Sequence, residues 1–466
     1  MKEKATKSHK ARAHQTVTET FKLKTGRKTI EITTTQQRLS SHAGQATFWG
    51  FAHLKKVREL LERALPHRPT SPNALKPVEI ALGMIAGIIA GADKLTRVAW
   101  LRGDPVLPEI LAIKRVPSQS TLSRFLAMFS MAKSLECFRQ LWRWSMERLP
   151  SRRHGYTVDF DTTGLLHEDG HQQGVHVGHT RIGLKPCLQP MLAVLAEAKL
   201  CAQLWLRPGH AHCTNNLLAF TQEFLANLPK HLRLRLIRAD SGFFYDPWLS
   251  LLEERQLHYI VVADLSLPIK SLLRKTTQWH PSSVRGLEVA EVEYHSRYAS
   301  CPRRLVIVRR SVDIAARGGG KQLFDCPGYK FQALVTNLPA SVSALQVWFD
   351  YNGRAGIENV IKELRHGFGL SSLCCQQFFA TEAALSLAVF AYNLTILFLR
   401  HLGWLDALTI RSLRFRLFQC PALISHRQRR TTLRFAVAPR QRSWWEGVWQ
   451  KILNPFPNCH AVAQQP

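Results

Sequence analysis

The chain has 466 residues, with 63 Lys and Arg against 33 Asp and Glu, giving a formal net charge of +30. A hydrophobic fraction of 45% is enough to bury a large core, which excludes a chain disordered throughout. A charge excess of this size excludes an ordinary acidic metabolic enzyme and points to a polyanionic partner, nucleic acid first.

In chain order, residues 1–30 hold nine Lys and Arg and only Glu3 and Glu19, and 1–47 reads as a basic N-terminal arm. It has no apolar stretch behind its charges, so no signal peptide is expected. From 48 to 150 the apolar spacing is helical, predicting an all-α DNA-binding domain. Within it, VPSQSTLSRFLAMF places Pro117, Ser118 and Ser120 as start signals of a short amphipathic helix. Lys114 and Arg115 precede that helix and Arg124 lies in it, which suits either a helix-turn-helix reading head or a plain packing helix.

At Tyr156 the period changes to two. YTVDFDTTG puts Tyr156, Val158 and Phe160 on one face and Thr157, Asp159 and Asp161 on the other. Strands are expected near 188–196 and 200–206, then a helix over 215–228, a strand ending at Asp240, a helix over 247–256, and a strand in LHYIVVADL. This β-β-β-α-β-α-β order is that of a ribonuclease-H-like α/β core, assigned to 151–264 and 341–400. A β-rich insertion, with the loop ARGGGKQ, is expected over 265–340. Helix resumes near 343 with a break at Gly353 or Gly356. Two apolar runs, 80–92 and 383–399, read as buried helices rather than membrane spans. The first is short and Gly-rich, and the second holds Tyr392 and Asn393. Residues 401–466 form a basic C-terminal region whose Trp444, Trp445 and Trp449 suit either exposed bases or a closing helix.

Acids are scarce, so a carboxylate at a strand end is informative. Asp161 in DFDTTG and Asp240 in RADSGF end strands expected to be neighbours, where two carboxylates share a cation. Asp159 lies on the same face as Asp161, roughly 7 Å away along the strand. The third acid is Glu358. On a helix turning about 100° per residue, Tyr351, Arg354, Glu358, Lys362 and Arg365 fall within about 80° of one another. That stripe suits a site facing a phosphate or a solvent face with Arg354–Glu358–Lys362 pairs. The ten cysteines form no C-x-x-C pair, and GGGK lacks the frame of a P-loop. His210 and His212 beside Cys213 read as loop residues rather than metal ligands.

These residues resemble the DDE transposases of bacterial insertion sequences. The motifs that carry the resemblance are DFDTTG, RADSGF, PSQSTLSRF, LRPG, ENVIKELRHGFG, and Tyr-x2-Arg-x3-Glu-x6-Arg at Tyr351, Arg354, Glu358 and Arg365. It covers roughly 41 to 400, and the branch with a Tyr-Arg-Glu-Lys signature and a β-rich insertion matches best. Arg365 departs from the Lys of that signature, keeping the charge with different donor geometry. The resemblance implies catalysis by Asp161, Asp240 and Glu358 through bound Mg²⁺, with Mn²⁺ as a substitute. It implies cleavage of double-stranded DNA at terminal inverted repeats and joining of the 3′-hydroxyls to target DNA. It also implies phosphate contacts by Arg354, Lys362 and Arg365, a bracing Tyr351, a homodimer on DNA, and a location in the bacterial cytoplasm at the nucleoid. A structure-specific nuclease or a non-catalytic DNA-binding derivative are the rival readings.

Overall fold

A computed structural model describes residues 21–67, 71–296, 301–311, 321–323, 326–428 and 430–453. The central sheet has ten strands. Eight of them are β1 (Tyr156–Thr162), β2 (Met191–Leu195), β3 (Leu200–Trp205), β4 (Leu234–Ala239), β5 (Tyr259–Val262), β6 (Leu287–Tyr294), β7 (Arg303–Ser311) and β8 (Cys326–Thr336). Their order across the sheet is β6-β7-β8-β5-β4-β1-β2-β3. The short pieces His280–Pro281 and Lys321–Leu323 add to β6 and β8. β4 runs parallel to both β1 and β5, while β2, β3 and β6 to β8 are antiparallel to their neighbours.

The β-rich segment therefore extends the same sheet. β8 returns beside β5, pairing Thr336 with Ile260, and is followed by the helix Ala344–Asn352. The loop residues 312–320, which include the triple glycine, lie outside the described residues.

The main helices are α1 (Pro77–Ala90), α2 (Gln119–Ala127), α3 (Met131–Met146), α4 (Leu217–Asn227), α5 (Asp246–Glu254), α6 (Ala344–Asn352), α7 (Ala355–Gly367) and α8 (Phe378–Leu402). Alternate side chains send the two faces of the sheet into two cores. Ile237 and Phe160 join the large one, with Phe160 ringed by Phe220 and Phe224 of α4 and Trp248 of α5. Leu236, Ile260 and Val306 join the smaller one under Val347 and Trp348 of α6. Both faces of β1 are thus covered, so Thr157 and Asp159 are as buried as Val158.

Helix α8 is long and apolar enough to cross a membrane, but 94% of its most apolar window is buried inside the protein. Two of its polar residues dock it on the edge strand β3. Asn393 accepts from Cys201 N at 3.0 Å and donates to Cys201 O at 2.7 Å, and Tyr392 donates to Lys199 O at 2.6 Å. A helix that satisfies an edge strand's backbone groups also shields it from other chains.

The amino-terminal part departs from an all-α domain preceded by a free arm. The described chain opens on a hairpin, Phe21–Thr25 with Lys28–Ile32, and Leu39–Ser40 pairs with Ala422–Arg427 near the other end of the chain. Helices then fill Gln45 to Met146, but they share one core with α8 and the sheet. The physical reason is α8 itself: it is apolar all round and needs α1, α2 and α3 to cover it. Ser118 caps α2 as its sequence predicts, accepting from Thr121 N at 3.2 Å. The carboxy-terminal tryptophans are also used in packing. Trp445 is buried, and Trp444 stacks on Trp404 with ring centres 5.6 Å apart.

Candidate active site

Strands β1 and β4 are parallel neighbours with Arg238 opposite Asp159. Two residues further along each chain, Asp161 and Asp240 therefore stand side by side at the carboxyl ends of the strands. Asp240 accepts from Gly242 N at 3.0 Å, capping the turn that follows it, and Asp161 accepts from Thr162 N at 2.8 Å. Asp161 has a side chain only 13% exposed, against 42% for Asp240.

The helix breaks at Gly353, one of the two positions the sequence suggests, and the break interrupts the stripe. Helix α6 ends at Asn352, Gly353 turns the chain, and Arg354 starts α7. Gly353 is required by crowding: a β-carbon there would lie 2.5 Å from Arg238 Nη1. The break turns Arg354 inward. Its Nη2 lies 3.1 Å from Asp161 Oδ1 and 3.5 Å from Asp240 Oδ2, and donates to Phe160 O at 3.1 Å. One guanidinium nitrogen thus bridges both carboxylates, in place of an Arg354–Glu358–Lys362 ladder. Burial pushes the Asp161 carboxyl up to about 6; Arg354 pulls against this, while Asp240 and Glu358 add repulsion.

Tyr351 is half-buried at the end of α6, its hydroxyl pushed up by burial and by the nearby acids against the pull of Arg354. Glu358 sits exposed in the first turn of α7, close enough to raise Asp161. Lys362 is exposed one turn further on. Arg365 donates from Nε to Ser371 Oγ at 3.1 Å. Arg124 is not brought to this cluster. It is exposed on α2, lining a separate cavity with Arg115, Thr121, Phe125 and Met128.

Three supporting residues escaped the sequence reading. Arg238 donates from Nε and Nη2 to the two oxygens of the fully buried Asp159 at 2.6 and 2.9 Å, and also to Asp350 O. It therefore ties β1 and β4 to the end of α6 next to Tyr351 and Arg354. Its signal was present in the RADSGF motif, two residues before Asp240. Arg207 of LRPG is buried and donates to Gln189 O at 3.1 Å and His212 O at 2.7 Å, fixing the following loop. That loop carries Cys213, whose sulfur lies 3.4 Å from Thr162 Oγ1 beside Asp161. The two histidines are loop residues: His210 packs edge-on against His176, and His212 Nδ1 meets Thr214 Oγ1 at 2.9 Å.

Comparison with known proteins decides the family. The family described as "Transposase DDE domain group 1" matches residues 22–454. This chain belongs to the DDE transposases. None of the curated proteins matches its sequence. Among solved structures, a piggyBac transposase in a synaptic complex with hairpin DNA is similar at 13% identity and a TM-score of 0.37. The match covers 93% of this chain and 90% of that one.

Family membership implies a divalent cation, and the acidic pair fits one of the hard, oxygen-ligated class. Two carboxylate oxygens already converge within 3.5 Å of one cationic nitrogen, and the buried Asp161 carboxyl gains from any added positive charge. Among the described residues no three carboxylate, imidazole or thiol groups form a closed cluster, so Glu358 stands outside the pair.

Proposed function

We propose that this transposase cleaves DNA at the ends of a mobile element and joins the freed 3′-hydroxyls to target DNA. The observation that carries the reading is the convergence of Asp161 and Asp240 on one guanidinium at the ends of two parallel strands. The strand order β3-β2-β1-β4-β5, with β2 antiparallel to β1, supports a ribonuclease-H-like core around them.

In this reading Asp161, Asp240 and Glu358 would hold Mg²⁺ or Mn²⁺, which would activate the attacking oxygen and neutralise the leaving one. Asp161 must be ionised to serve, and its burial keeps water from competing for its oxygens. Arg354, relieved of its carboxylates, is placed to donate to a scissile phosphate. In the first step a water oxygen bonds to phosphorus, the bond to the 3′ oxygen breaks, and that oxygen leaves with a proton. In the second, the 3′-hydroxyl loses its proton as it bonds to a target phosphorus, and the target's 3′ oxygen leaves with a proton. Tyr351 braces a flanking phosphate or base, and Lys362, Arg365 and Arg124 add phosphate contacts consistent with the +30 charge. The chain acts as a homodimer on paired ends, at the bacterial nucleoid.

The test is purified protein with linear DNA carrying the repeats that border the coding sequence, with and without Mg²⁺. Metal-dependent joined products are expected. Cuts without joining would make it a nuclease, and binding alone a non-catalytic derivative.

A further inference from the structure

The least explained surface is the hairpin inserted between β1 and β2, formed by His176–Thr180 and Gly183–Leu188. Its base is anchored beside the acids. Leu165 and Leu166, just beyond Asp161, pair with Leu188 and Cys187. Gly209 N donates to Gly174 O at 3.0 Å, and a β-carbon on Gly178 would lie 1.8 Å from Gly209 O, so two backbones meet there with no room to shift.

The tip is the opposite. Ile182 and Leu184, at and beside the turn, are 64% and 61% exposed, and Val177, nearer the base than Gly178, is 59% exposed. The register sets Val177 opposite Pro186 and His179 opposite Leu184, so Val177 and Leu184 share one outward face. Lys185 is engaged by Glu168 at 3.2 Å. Arg181, at the turn, stands close enough to Arg365 to disfavour its charge, adding to the effect of burial. An exposed cation at the turn, beside exposed apolar side chains, suits an anion next to a stack of flat apolar surfaces. Duplex DNA offers both, as a phosphate beside a base step.

Resting on the proposed cleavage reading, we propose that this hairpin tip is a wedge that opens the duplex beside the scissile phosphate. Ile182 and Leu184 enter a base step while Arg181 holds the adjoining phosphate. Apolar side chains inserted in this way unstack a step and kink the duplex. A stiff base and an exposed tip are what such insertion requires, because a yielding base would fold the tip back instead.

The test compares binding to a short duplex of arbitrary sequence and to the same duplex with a few central pairs mismatched, without metal. The wild-type protein should bind the opened duplex about tenfold more tightly, because unstacking is already done. In the double variant Ile182→Ser with Leu184→Ser that ratio should fall towards one. Arg181→Ala should weaken both by a similar factor and leave the ratio. Thermal unfolding checks that the exposed substitutions leave the fold intact. A variant ratio equal to the wild-type ratio overturns the wedge. So does a wild-type preference for neither duplex, or dimer loss in the double variant with unchanged DNA binding, which would assign the tip to a second copy. Because these measurements use no cleavage, they stand apart from a failure of the transposition reading, which the metal-dependent joining assay alone reveals.

Discussion

Replacing Asp161 by Asn should stabilise the metal-free protein at neutral pH. The Asp161 carboxyl stands at about 6, against 3.8 for an unperturbed aspartate, with burial as the largest cause. A carboxyl with a raised folded value holds its proton more tightly in the fold than in the unfolded chain. Its favourable contribution is therefore complete below 3.8 and is lost as pH rises through about 6. A difference of about two pKa steps, at about 1.4 kcal/mol each, makes the loss about 3 kcal/mol. The side chain is only 13% exposed, so solvent screens little of it. Asparagine keeps the shape of the protonated acid and never takes the charge. Urea unfolding in a chelator should show the variant more stable by up to about 3 kcal/mol above pH 7 and nearly equal to wild type at about pH 4. Added Mg²⁺ should stabilise the wild type and not the variant. A variant less stable than wild type above pH 7, or a difference independent of pH, would refute the reasoning.

Arg354→Gln removes the internal cation from between Asp161 and Asp240, so Mn²⁺ should bind more tightly in an electron paramagnetic resonance titration. Cleavage should nevertheless fall by about a hundredfold, because a preorganised donor to the phosphate is gone. Asp159→Asn leaves the Arg238 guanidinium buried without its partner charge, and thermal unfolding should show a loss of about 3–5 kcal/mol, opposite in sign to Asp161→Asn. DNA affinity should fall with salt at a log-log slope of about −0.9 per phosphate contact, roughly −5 or steeper in total. Removing residues 1–30 should flatten that slope, and an unchanged slope would place binding elsewhere.

The parts of this fold that were legible are those with local signals. Alternation in YTVDFDTTG gave β1, and Ser118 and Ser343 marked the starts of α2 and α6, where Ser343 accepts from Gln346 N at 3.2 Å. Pairing across distance leaves no such mark. Nothing in PGYKFQALVT announces that it returns to β5 and makes one sheet of core and insertion. The hairpin at His176–Leu188 was missed because Gly178 and Pro186 are poor strand formers, and it is held by a close approach to Gly209 that only the fold supplies. At the start of the chain, Phe21, Leu23, Ile30 and Ile32 alternate around Gly26, but interleaved lysines read more readily as a basic arm. In the site, the scarcity of acids singled out Asp161 and Asp240. The break at Gly353 was legible, but the direction in which it sends Arg354 was not, because that depends on how closely α6 packs on Arg238, with no room for a β-carbon at Gly353.

That dependence explains why two similar ion pairs sit a few residues apart on one strand. Arg238 meets Asp159 bidentately at 2.6 and 2.9 Å with both side chains buried, a geometry that neither water nor a ligand can reach. Arg354 is instead shared between Asp161 and Asp240 at 3.1 and 3.5 Å, and Asp240 remains 42% exposed. The first pair is sealed and fixes β1, β4 and α6 relative to one another. The second is longer, divided and open on one side, so a small cation can compete for its oxygens. In the proposed cleavage the site releases its arginine to a phosphate, which needs that arginine weakly held and the surrounding frame held by something else. Arg238 and Asp159 are that frame: weakening them should disorder the acids, whereas weakening Arg354 should free them.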